Sequence, residues 1–148
     1  IYATDINSQA LGAAEQGVFD IARIGGFSAN YVTAGGTGSL SDYYTARYGR
    51  VVFDKDLRRN VVFADHSLAT DTVFAEVHLI SCRNVLIYFD EALQNRVIGL
   101  FRDSLCHRGF LGLGAAESLR SSEQAAAFEE LSTRQRIYRK KSGVPSLS

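Results

Sequence analysis

The sequence is poor in the residues that build disulfide-linked and metal-held scaffolds. Its 148 residues include two cysteines, Cys82 and Cys106, which form no CxxC pair, and three widely spaced histidines. Two isolated cysteines predict a reducing, cytoplasmic setting rather than a disulfide-rich secreted domain. Because the histidines and cysteines form no zinc-binding pattern, we expect no metal site.

An excess of one charge and long apolar runs are also lacking. Lys and Arg number 16, as do Asp and Glu, which argues against bulk electrostatic capture of nucleic acid or of an anionic membrane. No apolar run reaches the roughly 18 residues of a membrane-spanning helix, and no signal peptide is seen. We therefore expect no nucleic-acid partner, no membrane insertion and a cytoplasmic protein.

Hydrophobic residues, in contrast, are plentiful. They make up 46% of the chain, with 11% aromatics, which is enough to bury a core. The one proline, Pro145, lies in the segment 142–148, which is typical of a flexible tail. The chain starts at Ile1 in what the pattern predicts as the second half of a β-strand. The expectation is therefore most of one domain rather than a whole one.

Caps and apolar periodicity predict alternating strands and helices. The first strand, 1–5, is predicted to be buried and to lead into a helix that Asn7 or Ser8 caps and Gly17 ends. The order of elements predicts an α/β fold, with an open, mostly parallel sheet and helices on its faces. The later predicted elements are strands at 51–53 and 61–64, a buried strand at 77–81, a helix from Glu91 to about Leu105 capped by Asp90, a strand at 110–113, a helix from Ser121 through Leu131 with a capping box, and a strand at 136–139.

Polar groups follow two predicted strands, at the edge where open α/β sheets bind ligands. Asp5 ends the first strand, where a carboxylate can accept two hydrogen bonds from a ribose diol; the alternative is that it only caps the next helix. Arg83 and Asn84 follow the strand 77–81 and are candidates for a pocket edge, or else an ordinary loop with Arg83 in a surface ion pair. Between them and the strand, Cys82 is more typical of a small buried apolar residue than of a nucleophile.

Longer runs resemble one known family. The run SCRNVLIYFDEALQ at 81–94, followed by GFLGLGAAESL at 109–119, resembles the C-terminal half of the CheR-type chemoreceptor methyltransferases. The runs YATDINSQALGAAEQGVF at 2–19 and VVFADHSLATDTVF at 61–74 resemble two further segments of that family in the same order. These enzymes are S-adenosylmethionine-dependent protein-glutamate O-methyltransferases, and the resemblance covers roughly residues 1–141.

The resemblance implies a fold, a cofactor and a set of binding residues. The fold would be a Rossmann-like class I methyltransferase sheet over 1–141, with 25–60 as a small inserted β-subdomain and with the N-terminal strand and Gly-rich loop absent from this chain. The cofactor would be S-adenosylmethionine, with S-adenosylhomocysteine as product. By position in the motifs, Asp5 would bind the ribose hydroxyls, Ile6, Ser67 and Leu68 would lie near the adenine, and Arg83 and Asn84 would contact the cofactor.

Methyl transfer to a carboxylate makes modest demands on catalytic residues. A glutamate acceptor has a pKa of about 4.3 and is already ionised at neutral pH, so no strong general base is needed. The resemblance implies that Tyr88 lies near the transferred methyl group, while Arg83 positions cofactor or substrate. The alternative for Tyr88 is a core aromatic with a satisfied hydroxyl. A GxxES element at 114–118, with Glu117 in it, would support the pocket without reacting.

Two residues depart from the family pattern and leave other functions open. Ser67 stands where the family usually has Asn, and His78 where its strand usually carries Asp. These departures favour an alternative function, a catalytically inactive methyltransferase-like sensor or interaction module. A nicotinamide-dependent oxidoreductase, which Asp5 alone would allow, is a third option.

The resemblance also implies the partner. A chemoreceptor or other signalling protein would be the methyl acceptor, and the segment 25–59 would dock an acidic tail of it or be a solvated loop. This piece by itself is expected to be inactive, and an exposed sheet edge favours its self-association.

Overall fold

The structure, a computed structural model, describes residues 1–72 and 75–144. The tail prediction for 142–148 therefore falls mostly outside the described residues. The chain divides into two units, Ile1–Ser67 and Leu68–Ser148. The helices and strands are β1 (Tyr2–Asp5), α1 (Ser8–Gln16), β2 (Val18–Asp20), α2 (Ile24–Thr33), β3 (Tyr44–Arg47), β4 (Arg50–Phe53), α3 (Lys55–Arg58), β5 (Val62–Asp65), β6 (Val77–Cys82), α4 (Glu91–Ser104), β7 (Leu105–Leu113), β8 (Phe128–Ser132) and β9 (Ile137–Lys140), with 3-10 turns at Ile21–Arg23, Leu40–Tyr43, Leu86–Tyr88 and Ala125–Ala127.

In the first unit, β1 and β5 form a parallel pair, in register from Tyr2 opposite Val62 to Asp5 opposite Asp65. Helix α1 follows β1 because the Asn7 side chain accepts hydrogen bonds from the first backbone N–H groups, and it ends at Gly17, whose φ is +65°. The strand, the Asn7 cap and the Gly17 stop are confirmed. The prediction that this strand is buried is wrong, since Tyr2 is 53% exposed in this chain.

The rest of the first unit is a three-stranded antiparallel sheet in the order β2-β4-β3. Val51 of β4 is fully buried, and the ring of Phe19 makes edge-to-face contacts with Phe27 of α2 and Phe53 of β4. These aromatic contacts join helix and sheet. Strands β3 and β4 lie within the segment 25–60 predicted as an inserted β-subdomain, and β2 precedes it. The subdomain boundary stays a prediction.

The second unit is built on a four-stranded sheet in the order β6-β7-β9-β8. Strands β6 and β7 are parallel, whereas β9 is antiparallel to both of its neighbours. The α/β class is confirmed. The expectation of a mostly parallel sheet fails here, because the short turn between β8 and β9 reverses the chain, so that β9 runs antiparallel to both β8 and β7.

Helix α4 covers one face of this sheet. Asp90 is its N-cap and accepts a hydrogen bond from the Leu93 backbone, as predicted. The core joins side chains of the helix to alternate side chains of the strands, which point to the same sheet face. Its buried members are Cys82, Leu86, Val97, Ile98, Phe101, Leu105, Leu111, Leu113, Leu119, Phe128 and Tyr138.

The predicted helix from Ser121 through Leu131 is wrong. The segment forms turns, the 3-10 turn Ala125–Ala127 and then strand β8. Of the predicted capping pair, Ser121 and Gln124, the Gln124 side chain instead accepts a hydrogen bond from the Arg102 guanidinium at 2.6 Å. Asn95 of α4 accepts hydrogen bonds from the neighbouring Ser122 hydroxyl and Glu123 backbone. Phe128 then enters the core opposite Lys140 of β9. Tertiary contacts therefore override the local capping signal.

Lys140 fastens the end of α4 to the start of β7. Its side chain is fully buried, and its Nζ donates to the backbone carbonyl oxygens of Arg102 and Leu105 at 2.6 and 2.8 Å. Burial lowers the pKa of this ammonium group. The two carbonyl groups belong to the helix C-terminus, which an ammonium group stabilises.

Candidate functional site

Asp5 lies at the carboxyl end of β1, next to the matching end of β5. Its carboxylate is exposed and accepts a hydrogen bond through Oδ1 from the Asn7 backbone at 2.8 Å. The helix cap itself is the side chain of Asn7, which accepts from Gln9 and Ala10. Asp5 therefore shapes the turn before α1 without being its N-cap, and its carboxylate stays accessible to a ligand. Its neighbour Ile6 is 71% exposed.

The segment after β5 is held by a residue that sequence reasoning missed. Arg96 of α4 donates to the backbone oxygen of Leu68 at 2.8 Å and to that of Asp71 at 3.2 Å. Leu68 is half-buried and packs against the core of the second unit. No local pattern marks Arg96, because its partners lie more than 20 residues away in sequence.

The loop Cys82–Tyr88 begins at the carboxyl end of β6. Cys82 is buried, and burial together with the nearby charge of Glu117 raises the pKa of its thiol to about 12. The thiol stays protonated at neutral pH and is unsuited to nucleophilic chemistry. The interpretation of Cys82 as a small buried apolar residue is confirmed.

Glu117 organises this loop. Its side chain is 4% exposed, and its two carboxylate oxygens accept four backbone N–H groups. Oε1 accepts from Val85 and Leu86, each at 2.8 Å. Oε2 accepts from Asn84 at 3.0 Å and from Gly114 at 2.6 Å. The GxxES element therefore supports the neighbouring loop, in agreement with the sequence-based interpretation.

Asn84 and Gly114 meet closely beside this carboxylate. Asn84 has φ of +60°, a left-handed conformation that Asn tolerates better than most residues. A Cβ on Gly114 would lie 2.5 Å from the Asn84 Oδ1 atom and 2.8 Å from its backbone nitrogen. Glycine is required at 114 because the two loops leave no space for a side chain.

Arg83 and Tyr88 are presented outward by the same loop. Tyr88 is 80% exposed, whereas Leu86 of the same 3-10 turn is 3% exposed and anchors it in the core. Gln94 also fixes the turn, because its Nε2 donates to the carbonyl oxygens of Leu86 and Phe89 at 3.0 Å. The alternative interpretation of Tyr88 as a core aromatic is wrong. Arg83 is exposed, and no ion pair of it occurs within residues 1–72 and 75–144.

Two depressions flank this region in the second unit. One of about 190 Å³ lies against the 3-10 turn, between Ile87, Gln94 and Ser118. A larger, open cleft of about 560 Å³ lies along α4 and is lined by Asp71, Arg96 and Asp103 among others. The larger cleft contains none of the residues predicted to bind the cofactor.

The structure brings together Arg83 and Asn84 with the GxxES element, all within the second unit. Asp5, Ile6 and Ser67 belong to the first unit. His78 is exposed and lies where the pairing of β6 with β7 shifts register. It stands four residues before Cys82, towards the opposite end of the strand from the loop.

Neither a metal cluster nor a membrane span is found in the part of the chain that the structure describes. No three His, Cys, Asp or Glu side chains there lie together in a way that could hold a metal ion. None of the helices there has the length and apolar character needed to traverse a bilayer.

Comparisons with known proteins agree with the motifs. Residues 1–137 match the family model described as CheR methyltransferase, SAM binding domain. The chain is 54% identical over 140 residues to "Putative methyltransferase Cher3" of Pseudomonas putida, covering 95% of this chain and 51% of that protein. It is 32% identical over 121 residues to a chemotaxis protein methyltransferase of Vibrio parahaemolyticus, covering 80% of this chain and 42% of that protein.

These matches cover a larger share of this chain than of its relatives. The chain spans about half the length, or less, of these curated relatives. The family match, however, covers nearly all of this chain. The chain therefore belongs to the CheR methyltransferase family, and its residues 1–137 match the S-adenosylmethionine-binding domain of that family.

Proposed function

We propose that the protein to which this chain belongs is an O-methyltransferase that uses S-adenosylmethionine to methylate glutamate side chains of a chemoreceptor-like protein. The observation that carries this proposal is the loop Cys82–Tyr88. The buried Leu86 side chain and the Glu117 carboxylate anchor this loop. The loop presents Arg83, Asn84 and the Tyr88 ring at the end of a parallel strand. The name of the Vibrio parahaemolyticus relative supports the chemotaxis setting.

The residues present fit the cofactor by the chemistry of their side chains. The exposed carboxylate of Asp5 has acceptor capacity for a ribose diol, because within residues 1–72 and 75–144 it accepts only one hydrogen bond, through Oδ1 from a backbone N–H. In the second unit, Arg83 and Asn84 offer guanidinium and amide groups to a polar ligand. Ile6, Ser67 and Leu68 are the proposed neighbours of the adenine.

The chain's own task in methyl transfer is alignment. When bound, S-adenosylmethionine supplies a methyl group activated by a positively charged sulfur. A glutamate acceptor is ionised at neutral pH and needs no proton removed, which suits a site whose one nearby thiol is inert. The residues must therefore orient the acceptor carboxylate and strip water from it.

Tyr88 and Arg83 are assigned different roles by charge. The reaction neutralises the acceptor carboxylate, so an arginine paired tightly with that carboxylate would hold it in its charged state and slow transfer. A neutral hydroxyl orients a carboxylate at a smaller electrostatic cost. We assign the reactive centre to the exposed Tyr88 hydroxyl and give Arg83 a positioning role towards the cofactor.

The first unit offers a surface suited to an acidic receptor segment. At the β3–β4 hairpin, Tyr48 is 88% exposed and the Arg47 guanidinium lies 4.9 Å from its ring centre. Arg50 is exposed on the same hairpin. Arginine and tyrosine side chains are the groups that bind carboxylate-rich peptides. We propose this hairpin, within the segment 25–59, as the docking region.

Replacing Tyr88 with phenylalanine is expected to lower the turnover of the full-length protein about tenfold, since one hydrogen bond to the acceptor is lost. S-adenosylhomocysteine affinity is expected to be unchanged. The assay follows labelled methyl transfer to receptor protein, and label on glutamate is released by base. Tyr2→Phe, a change at another exposed tyrosine that has no assigned role in the site or in docking, is the control for effects of hydroxyl removal on the fold.

Each outcome of this assay has a defined meaning. Base-labile label that falls in Tyr88→Phe supports both the reaction and the residue. Equal turnover in wild type and Tyr88→Phe removes Tyr88 from the reactive centre. No transfer to any receptor, with S-adenosylhomocysteine still bound, refutes the methyltransferase proposal and supports the inactive sensor module.

A further inference from the structure

The buried Glu117 carboxylate joins the ends of two parallel strands. We infer that Glu117 is a positioning residue, which sets the cofactor affinity and turnover of the site by fixing the backbone that carries Arg83, Asn84 and Tyr88. This inference rests on the proposed function for the roles of those three residues. Whether this one carboxylate holds the loop can be measured by hydrogen exchange, independently of those roles.

The contacts divide evenly between the two carboxylate oxygens. Oε1 accepts from Val85 and Leu86, and Oε2 accepts from Asn84 and Gly114. Three of the donors follow β6, and the fourth, Gly114, follows β7. The carboxyl ends of the parallel pair are therefore tied to each other through one side chain.

The charge of Glu117 is balanced by backbone dipoles. No Lys or Arg forms an ion pair with it within residues 1–72 and 75–144. A buried carboxylate is costly unless hydrogen bonds compensate it, and here four N–H groups do so. Because these N–H groups point at fixed angles, they define one backbone path for residues 84–86.

That path includes the unusual conformation of Asn84. Its φ of +60° is uncommon for a residue with a side chain, and its N–H points at Glu117 Oε2. The adjacent Gly114 allows this approach, since any Cβ there would meet Asn84 and the Glu117 carboxylate. The carboxylate, the glycine and the left-handed Asn84 form one mutually dependent arrangement.

The arrangement also fixes the positions of the exposed side chains of Arg83 and Tyr88. Arg83 precedes the bound amides and Tyr88 follows them by two residues, and within the described residues neither forms a hydrogen bond or ion pair with Glu117. Loss of the carboxylate would free the backbone between Arg83 and Tyr88, and both side chains would lose their defined positions. Catalytic geometry is sensitive to displacements of about 1 Å, so such a change should lower turnover beyond any loss of fold stability.

Glutamine at 117 is the decisive substitution because it keeps the shape of glutamate. A glutamine has one acceptor oxygen, and its NH₂ group faces two of the four N–H donors whichever way it is turned. In the full-length protein we expect Glu117→Gln to weaken S-adenosylhomocysteine binding about tenfold to a hundredfold, measured by calorimetry. We expect kcat to fall as well, with little change in the KM for the methyl acceptor.

Two control variants separate positioning from general stability. Glu123→Gln makes the same chemical change at an exposed position in the same unit, and we expect no effect. Val97→Ala removes part of a fully buried side chain of α4, and we expect lower stability with nearly unchanged cofactor affinity. Equal losses of affinity in Glu117→Gln and Val97→Ala would overturn the positioning role.

Hydrogen exchange tests the loop without any reliance on activity. In the wild-type protein, the amides of Asn84, Val85, Leu86 and Gly114 should be protected to a similar degree, since they share one acceptor group. In Glu117→Gln, we expect at least two of them to exchange about tenfold faster or more, while Leu111 is unchanged. Wild-type exchange of these amides at the rate of exposed loop amides would refute the inference, whether or not the variant folds and whether or not methyl transfer is found.

Discussion

Replacing Gly114 with alanine is expected to lower the free energy of unfolding by about 1–3 kcal/mol, because the new methyl group has no space. Its nearest neighbours would be the Asn84 side chain and backbone and the Glu117 carboxylate, all within 2.8 Å. Backbone cannot yield as a flexible side chain does, so the loop itself must move. We therefore also expect S-adenosylhomocysteine affinity to fall about tenfold or more, as one or more charge-assisted hydrogen bonds to Glu117 are lost.

The matched control lies two residues earlier, within β7. A Cβ on Gly112 would meet nothing nearer than the Ile80 carbonyl oxygen at 3.9 Å, an ordinary contact. Gly112→Ala should therefore keep both stability and affinity near the wild-type values. Denaturant unfolding and calorimetry measure the two quantities. A Gly114→Ala protein as stable and as tightly binding as Gly112→Ala would contradict the close packing at the site.

Replacing Asp5 with asparagine is expected to weaken S-adenosylhomocysteine binding about 10- to 150-fold while leaving the fold intact. Asparagine retains an oxygen that can accept from the Asn7 backbone, so the turn before α1 survives. It lacks the charge and the second acceptor oxygen that a ribose diol would use. Hydrogen bonds to a charged group contribute about 1.5–3 kcal/mol, which gives the expected range.

Asp65 provides the comparison for this variant. It ends β5 directly opposite Asp5 in the parallel pair and is also exposed, so Asp65→Asn removes the same charge from the neighbouring strand. We expect Asp65→Asn to change affinity much less. If Asp5→Asn binds as well as wild type, Asp5 serves only the turn, and the ribose assignment is wrong.

The helices that were predicted correctly carry their own end signals. Asn7 and Gly17 enclose α1, and Asp90 starts α4, each through contacts within four residues of the helix end. Such contacts depend on local sequence alone and can therefore be read from it. The helix predicted at 121–131 had a comparable local signal but does not form. Asn95 accepts a hydrogen bond from Ser122, and Phe128 enters the core. Neither contact can be predicted from the local sequence pattern.

In the candidate site, too, the local sequence predicts some features, whereas others depend on residues distant in sequence. A motif places Asn84 and Tyr88 after a strand, and the structure agrees that both lie in the loop after β6. The bonds that hold this loop span 31–33 residues, from Glu117 back to residues 84–86. No spacing rule predicts such a contact. The 80% exposure of Tyr88 likewise depends on Leu86 being the residue of that turn that enters the core.

The proposed cofactor-binding roles of Asp5 and Asn84 can be tested by a single titration. S-adenosylhomocysteine is added to isotope-labelled full-length protein, and the backbone amide signals are followed by NMR. The account predicts that the signals of Asp5, Ile6, Arg83 and Asn84 shift with one common dissociation constant, while that of Tyr48 on the β3–β4 hairpin does not. Saturable binding that leaves the Asp5 and Asn84 signals unmoved would contradict it.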